Sequence, residues 1–193
     1  EQTNIKTHAV RDSCQLPIFT AIELREKLDG CEIKSLKIET YKSAWEGAVK
    51  DSELWSPQTR ETADHSMLFA VACGLIDGKV TPDSFEDARF LDPDVLSLIE
   101  RTEVDVSDEF TLATPEIRNC RIVATTSDGS EVFAHRVVTL DEIKAGMPRD
   151  QLLAKFRETS RRAYSPSQQD RLIVGVDGLD TMSVRSFMPL IDY

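Results

Sequence analysis

The sequence has few features of a membrane protein or of a nucleic-acid-binding protein. Its longest uninterrupted apolar run, Met67–Ile76, has ten residues, which is about half of the length that a helix needs to cross a bilayer. Lys and Arg total 23 against 34 Asp and Glu, which gives a net charge of -11. Phosphate groups are bound mainly through Lys and Arg. The composition therefore predicts neither a nucleic acid nor an anionic membrane as partner.

Disulfide and metal-binding patterns are also missing. The four cysteines, Cys14, Cys31, Cys73 and Cys120, are widely spaced, have mostly apolar surroundings and form no C-x-x-C pair. No secretory signal segment begins the chain, so we expect reduced, buried thiols. The three histidines share no ligand spacing with the cysteines, so no metal site and no cofactor is predicted. These features favour the cytoplasm, or the mitochondrial matrix in a eukaryote.

Nucleotide-binding and hydrolase motifs are absent as well. The sequence contains no G-x-G-x-x-G, no Walker loop, no G-x-S-x-G and no H-E-x-x-H. The acidic excess is concentrated in residues 51–110, which carry 15 acidic and 4 basic side chains. Such a region is typical of a solvated face. The alternative is a surface that meets a basic partner.

Hydrophobic periodicity predicts an α+β fold: a small antiparallel sheet with helices packed on one face, followed by a helical C-terminal tail. Residues 33–41 alternate between apolar and polar side chains, which is typical of a half-exposed strand. Asp128-Gly129 separates two β-branched runs and predicts a hairpin. Helical spacing and capping signals predict helices at residues 16–28, 62–76, 83–90, 93–101, 148–162 and from 165 onward. The residues around Trp45 and Trp55 are predicted to form a loop.

The same pattern divides the chain into two parts. Residues 1–146 are expected to form the α+β domain, and residues 147–193 a helical segment whose apolar faces exceed what the sheet can cover. The chain begins Glu1-Gln2-Thr3 without a methionine, so we expect it to be part of a longer protein. The helical segment is therefore expected to pack on a missing N-terminal helical domain or on another subunit.

The segment most informative about chemistry, residues 55–67, is polar and leads directly into the apolar run. Its residues Arg60, Glu61, Asp64 and His65 are predicted to lie at a helix N-terminus, where free N–H groups and the helix dipole favour an anion. The same dipole disfavours a charged imidazole, so His65 is expected to be neutral and usable as a base. These residues also fit ordinary helix capping.

The eight residues 59–66, T-R-E-T-A-D-H-S, resemble the signature of the MmgE/PrpD family. This family includes 2-methylcitrate dehydratase, cis-aconitate decarboxylase and iminodisuccinate epimerase. Four further segments resemble parts of the family. Residues 5–15 resemble its lysine segment, and residues 38–41 the strand after it. Residues 75–85 resemble its Asp-Gly and Phe run, and residues 153–156 its late L-x-x-K-F helix. The resemblance covers essentially the whole chain, but only the C-terminal part of a family member. Three positions depart from the family pattern: His8 replaces an aromatic residue, and Ala9 and Leu68 each replace a proline.

The resemblance implies a metal-independent lyase that acts on a tricarboxylate or dicarboxylate. Family members have a large helical N-terminal domain and a smaller α+β domain, form homodimers and place the active site in the cleft between the domains. By position, Lys6, His65 and Tyr41 would be catalytic, and Arg60 and Gln15 would bind substrate. On the residues alone, Lys6 is equally typical of a solvated lysine, and Tyr41 of an aromatic on a half-exposed strand.

The signature is closest to the dehydratase branch, so the resemblance favours elimination of water from 2-methylcitrate or a similar tricarboxylate. Epimerisation or decarboxylation within the same family is the first alternative. A non-catalytic module that uses the acidic region of residues 51–110 to meet a basic partner is the second. The other family residues that perform acid–base chemistry lie in the helical domain, so the chain alone is expected to be inactive.

Overall fold

The computed structural model of the chain describes residues 5–191. These residues divide into two compact units between Gly146 and Met147. Residues 1–4, on which the interpretation of the chain's start depends, lie outside the described residues, as do residues 192 and 193. No helix within residues 5–191 is both long and apolar enough to span a bilayer.

A four-stranded sheet organises the first unit, with the strand order β2-β1-β3-β4. The hairpin of β3 and β4 and the pairing of β1 with β3 are antiparallel, whereas β2 runs parallel to β1. The α+β class and the hairpin are thereby confirmed. The sheet is mixed rather than purely antiparallel, because residues 41–101 form a crossover that brings the chain back beside β1 in the same direction. The strands are β1 (Ile33–Thr40), β2 (Thr102–Val106), β3 (Ile117–Thr126) and β4 (Glu131–Thr139).

The two faces of β1 have different environments, as its alternation predicts. Leu36, Ile38 and Thr40 are buried on one face. Lys37 and Glu39 point to the other face, which bounds an open groove of about 570 Å³ with charged side chains of both signs. One face of the sheet therefore carries the core, and the other is open to solvent, with charged side chains beside the apolar Val123 and Phe133.

Helices supply the rest of the core of the first unit. The long helix α1 packs against β3, β4 and α4, and α4 is buried along nearly its whole length because its residues are apolar on every side. The helices in residues 5–146 are α1 (Asp12–Leu28), α2 (Lys42–Ala48), α3 (Arg60–His65), α4 (Met67–Ile76), α5 (Asp83–Glu86), α6 (Pro93–Glu100), α7 (Asp108–Ala113) and α8 (Leu140–Ala145). Short 3₁₀ turns add Ser52–Trp55 and Arg89–Leu91.

The contact between α1 and α4 requires a glycine. A Cβ atom at Gly74 would lie 2.9 Å from the Cβ of Ala21 and 3.3 Å from the carbonyl oxygen of Ile18. Both neighbours belong to well-packed parts of α1, so they cannot turn aside as the end of a long side chain could. The two helices approach each other closely at this point because Gly74 has no side chain.

Three details differ from the sequence predictions. The predicted loop around Trp45 contains α2. The predicted helix of residues 83–90 stops at Glu86, because Ala88 has a left-handed backbone with φ of 51°. Cys31 is exposed, although all four cysteines were expected to be buried. It lies just beyond the end of α1, where Asp29 and Gly30 have positive φ and turn the chain at the surface.

The second unit consists of helices with little buried interior. Of the buried apolar residues in the part of the chain that the structure describes, only Leu172 belongs to this unit. The Gln169 side chain ties α10 to α9 by donating hydrogen bonds to the Arg157 carbonyl oxygen and to Ser160 Oγ. Apolar side chains line a groove of about 400 Å³ and include Leu152, Leu153, Phe156, Ile173, Val176 and Phe187. The helices are α9 (Arg149–Ser160), α10 (Pro166–Asp177) and α11 (Val184–Phe187).

Candidate functional site

The T-R-E-T-A-D-H-S segment forms the short helix α3 and the break that follows it. Thr59 precedes the helix and caps it, because its Oγ1 accepts a hydrogen bond from the Thr62 N–H at 3.2 Å. Ser66 ends α3 and caps α4, with its Oγ accepting from the Phe69 N–H at 3.1 Å and donating to the Leu54 carbonyl oxygen at 2.6 Å. The predicted single helix of residues 62–76 is therefore two helices.

This break changes the predicted setting of His65. The residue is the last of α3 and directly precedes Ser66, the cap of α4. It therefore lies between the C-terminal end of one helix and the N-terminal end of the next, not in the first turn of a single long helix. Its Nδ1 lies 2.8 Å from the Glu61 carbonyl oxygen and 2.5 Å from Asp64 Oδ1. Asp64 Oδ1 forms no hydrogen bond with satisfactory geometry, so the Glu61 carbonyl is the acceptor and Asp64 contributes charge.

The contacts of Nδ1 also determine the tautomer of His65. Both atoms beside Nδ1 are oxygen acceptors, so Nδ1 carries a proton, and in the neutral ring Nε2 then holds the lone pair. The side chain is 46% exposed, which leaves the ring open to a ligand. The imidazole can therefore exchange a proton through Nε2 while its orientation is held through Nδ1.

The end of α3 lies against the start of α1. The Arg11 N–H donates to the Asp64 carbonyl oxygen at 2.9 Å, and Cys14 Sγ donates to the His65 carbonyl oxygen at 3.9 Å. Burial raises the pKa of the Cys14 thiol to about 12, so the thiol remains protonated and can serve as this donor. These contacts fix the backbone that carries His65.

Tyr41 reaches the same end of α1 from the sheet. It follows β1 directly, precedes α2 and is 7% exposed. Burial raises the pKa of its phenol, which therefore stays protonated at neutral pH. The Arg118 guanidinium and the Asp12 carboxylate both act on the phenol electrostatically, and Arg118 Nη1 donates to Asp12 Oδ2 at 2.7 Å. Within the described residues the hydroxyl has no hydrogen-bond partner, which leaves its proton available.

Two of the five predicted site residues therefore lie near the start of α1: His65 through backbone contacts with Arg11 and Cys14, and Tyr41 within electrostatic range of Asp12 and Cys14. We call the group formed by Arg11, Asp12, Tyr41, His65 and Arg118 the α1-start cluster. It combines an oriented imidazole and a protonated phenol with two guanidinium groups, although the chain as a whole is acidic. Such a set can exchange protons with a ligand and bind its carboxylates.

Gln15 has a structural role that the sequence did not indicate. Its Oε1 accepts from the His8 N–H at 3.0 Å, and its Nε2 donates to the carbonyl oxygens of His8 and Val10, each at 3.1 Å. Both amide N–H groups are thus used within the chain, and Gln15 holds the segment that follows the exposed Lys6. The His8 ring packs beneath this segment at 5.0 Å from the Phe19 ring.

Arg60 lies at the opposite end of α3 from His65. It is the first residue of the helix, about 7.5 Å along the axis from the last. Its guanidinium carbon is 5.8 Å from the centre of the Phe85 ring, a cation–π distance. The structure thus places Arg60 against an aromatic ring and not in the α1-start cluster.

Sequence reasoning missed Arg11 and Arg118. Arg11 lies inside the lysine segment, between Lys6 and Gln15, but matches no motif position. Arg118 is in the second position of β3, and only the pairing of β3 with β1 brings it to Tyr41. The position of Arg11 within the lysine segment was the one sequence feature that could have identified it as a site residue.

Part of the acidic region is neutralised within the chain. Arg89 donates to the carboxylates of Asp77, Asp92 and Asp94 over distances of 2.6–3.1 Å. The hydrogen bond from Arg89 holds the pKa of Asp94 below its usual value. In residues 5–191, no group of three or more His, Cys, Asp and Glu side chains is arranged to hold a metal ion.

A family model matches most of the chain. The family model described as the MmgE/PrpD C-terminal domain matches residues 8–181, which is 174 of the 193 residues. Gln15, Tyr41, Arg60 and His65 fall inside this range, and Lys6 lies two residues before it. A comparison with curated protein sequences finds no match.

Proposed function

Because the chain belongs to the MmgE/PrpD family, whose members are generally lyases, including dehydratases, we propose that it forms one wall of the active site of a tricarboxylate dehydratase. The substrate class is 2-methylcitrate and similar acids. The observation that carries the proposal is that Tyr41 and His65, from distant parts of the chain, both lie near the start of α1. A helical N-terminal domain would supply the opposite wall, so the 193-residue chain alone is expected to be inactive.

Elimination of water requires one base and one acid. The base removes the proton α to a carboxylate, the electron pair of the broken C–H bond forms the double bond, and the β-hydroxyl leaves with a proton as water. His65 Nε2 takes the first proton, and the Tyr41 phenol, which burial keeps protonated, donates the second. Lys6 binds the carboxylate next to the reacting carbon and stabilises the negative charge that develops there.

The proposal is tested in the full-length protein that carries this domain. Absorbance of the new double bond measures water loss from 2-methylcitrate. His65→Ala, Tyr41→Phe and Lys6→Ala should each lower kcat by about 10²- to 10⁴-fold. His135→Ala is the matched control, since this histidine is exposed on β4, where its Nε2 lies 3.1 Å from Asn119 Oδ1 and its ring stacks on Phe110. Full activity of both His65→Ala and Lys6→Ala would overturn the site assignment.

Epimerisation or decarboxylation of a related acid is the second candidate. It is favoured by His8, which occupies the aromatic position of the lysine segment and packs on Phe19, so this wall differs from the usual family pattern. NMR of a panel of di- and tricarboxylates in deuterated water separates the reactions. Dehydration gives an alkene, decarboxylation releases carbon dioxide, and epimerisation incorporates deuterium at the reacting carbon.

A non-catalytic acidic module is the remaining candidate. It requires the carboxylates of residues 51–110 to be available to a basic partner, whereas three of them are bound by Arg89. Calorimetry with a basic protein at low and high salt distinguishes this candidate. Saturable, salt-sensitive association that does not depend on His65 would favour the module over the lyase.

Two further properties belong to the same proposal. We infer that the working protein is a homodimer, and that it acts in the cytoplasm or, in a eukaryote, in the mitochondrial matrix. Sedimentation of the full-length protein tests the first inference, and fractionation of cells that express it tests the second.

A further inference from the structure

Arg11 is the residue just before α1, and its side chain contacts α2. Its side chain is exposed, and its Nη1 donates to the Gly47 carbonyl oxygen at 2.6 Å. Gly47 is in the last turn of α2, where carbonyl oxygens lack partners within the helix. One edge of the guanidinium is thereby fixed, while the main chain of Arg11 is held by Asp64.

Gly47 provides the room for this arrangement. A Cβ atom there would lie 3.0 Å from Arg11 Nη2 and 3.1 Å from its central carbon. Glycine inside a helix costs about 1 kcal/mol relative to alanine. Gly47 therefore lowers the intrinsic stability of α2. Because it has no side chain, the Arg11 guanidinium can lie flat on the helix.

The other guanidinium groups around the site already have partners. Arg118 pairs with Asp12, and Arg60 lies on the Phe85 ring. Arg11 forms no ion pair with any carboxylate within residues 5–191, and of its N–H groups only one on Nη1 donates to the protein. An exposed guanidinium held at one edge, with its remaining donors unused, matches the planar, two-oxygen geometry of a carboxylate.

We propose that Arg11 binds a carboxylate of the substrate, and that Gly47, because it has no side chain, lets the guanidinium lie in the required position. This inference rests on the proposed function, since it takes the α1-start cluster as part of the active site. The carboxylate bound is one distant from the reacting carbon, because the guanidinium lies toward the end of α2 whereas Tyr41 lies just before its start. Arg11 is thus a substrate-binding residue that determines specificity for an acid with an additional carboxylate.

A purely structural role for Arg11 makes a different prediction. If the guanidinium only caps the end of α2, its loss should lower stability without changing affinity. Arg101 is a matched control, because its exposed guanidinium also donates to backbone carbonyl oxygens, at 2.6 Å to Ile33 and 2.9 Å to Ser97. Arg101→Gln removes such a cap far from the α1-start cluster.

The experiment measures the affinity of the full-length protein for tricarballylate, a tricarboxylate without a hydroxyl group, by calorimetry, and the free energy of unfolding by urea. Arg11→Gln should weaken binding by about 10- to 100-fold. Gly47→Ala should weaken binding by at least about threefold, since its methyl group displaces the guanidinium, while stability stays equal or rises. Arg101→Gln should leave affinity unchanged.

The outcomes separate the inference from the function on which it rests. If tricarballylate binding depends on His65 and Lys6 but is unchanged in Arg11→Gln and Gly47→Ala, the inference is wrong and the proposed function stands. If Arg11→Gln lowers stability alone, as Arg101→Gln does, Arg11 is a helix cap and the inference is wrong. If tricarballylate does not bind the wild-type protein, or binds with no dependence on His65, Lys6 or Arg11, both proposals fail.

Discussion

The thiols show how strongly residue behaviour depends on burial. Cys14, Cys73 and Cys120 are buried in the core of the first unit, whereas Cys31 lies at the surface after α1. Burial disfavours the thiolate and raises the pKa of each buried thiol above its usual value, and it outweighs the opposite effect of Arg11 on Cys14 and of Arg89 on Cys73. Thiol reactivity in the folded chain should therefore be confined to one position.

Alkylation tests this directly. Brief treatment of the native chain with iodoacetamide should modify Cys31 alone, and the same treatment in concentrated urea should modify all four cysteines. Peptide mass spectrometry identifies the modified positions. Cys31→Ala is the control, and it should leave the native chain unmodified. Modification of Cys14 or Cys120 in the native wild-type chain would contradict the burial described.

The buried thiols also predict a loss of stability at alkaline pH. Burial raises the pKa of Cys14 and of Cys120 to about 12 from the usual 9.0. Between these values the unfolded chain releases the protons and the folded chain keeps them. The stabilisation is thus fully present below pH 9 and decreases as pH rises toward 12, by at most about 1.4 kcal/mol per pH unit for each thiol.

Urea unfolding followed by circular dichroism from about pH 8 to about pH 10.5 checks this dependence. Removing one buried thiol with Cys120→Ala should lower stability at neutral pH, because it leaves a cavity, but should make the decline with pH less steep. Cys31→Ala should decline as steeply as the wild-type chain. Equal slopes in all three proteins would contradict the assigned cause.

At the scale of elements, the contact of α1 with α4 gives the sharpest prediction. Gly74→Ala should destabilise the first unit by about 1–3 kcal/mol, the usual cost of overpacking, even though alanine favours a helix. Gly47→Ala is the matched control, because a methyl group there meets only the end of the long Arg11 side chain, which can shift, and not backbone or a packed helix. It should be neutral or stabilising. Urea unfolding of both variants measures the difference, and equal effects would show that helix propensity dominates at both sites.

Local sequence patterns predicted some elements well and failed at others for physical reasons. The alternation in β1 and the Asp128-Gly129 turn are local signals, and both predicted the strands correctly. The break at Ser66 was missed because Ser66 Oγ bonds to Leu54, a partner outside the helix that periodicity does not reveal. The same holds for the site: Tyr41 and His65 were named from motifs, but only the folded chain shows that both lie near the start of α1, where Arg118 pairs with Asp12.

At the scale of the whole molecule, the two units differ in the amount of buried interior. Almost all of the buried apolar residues belong to the first unit, and the second has an open apolar groove. Opening of a helix requires less free energy where fewer apolar contacts are broken. The second unit should therefore open more readily than the first in the isolated chain.

Hydrogen exchange followed by mass spectrometry measures this difference. Amides of α9 and α10 should exchange about 100-fold faster than those of α4, which corresponds to about 3 kcal/mol in the free energy of opening. If residues 147–193 pack on a helical domain, as proposed, the full-length protein should show the same helices strongly protected. Equal protection of α9 and α4 in the isolated chain would contradict the prediction.

The crossover between β1 and β2 has a consequence for the order of folding. Pairing of β2 with β1 closes a loop that spans residues 41–101 and includes the T-R-E-T-A-D-H-S helix, and closing a longer loop costs more entropy. The hairpin of β3 and β4 needs only neighbouring residues, and contacts close in sequence form faster than distant ones. We therefore expect the hairpin to appear early in refolding and the α1-start cluster to be assembled late. The geometry of the proposed active-site wall would then be completed only after most of the secondary structure has formed.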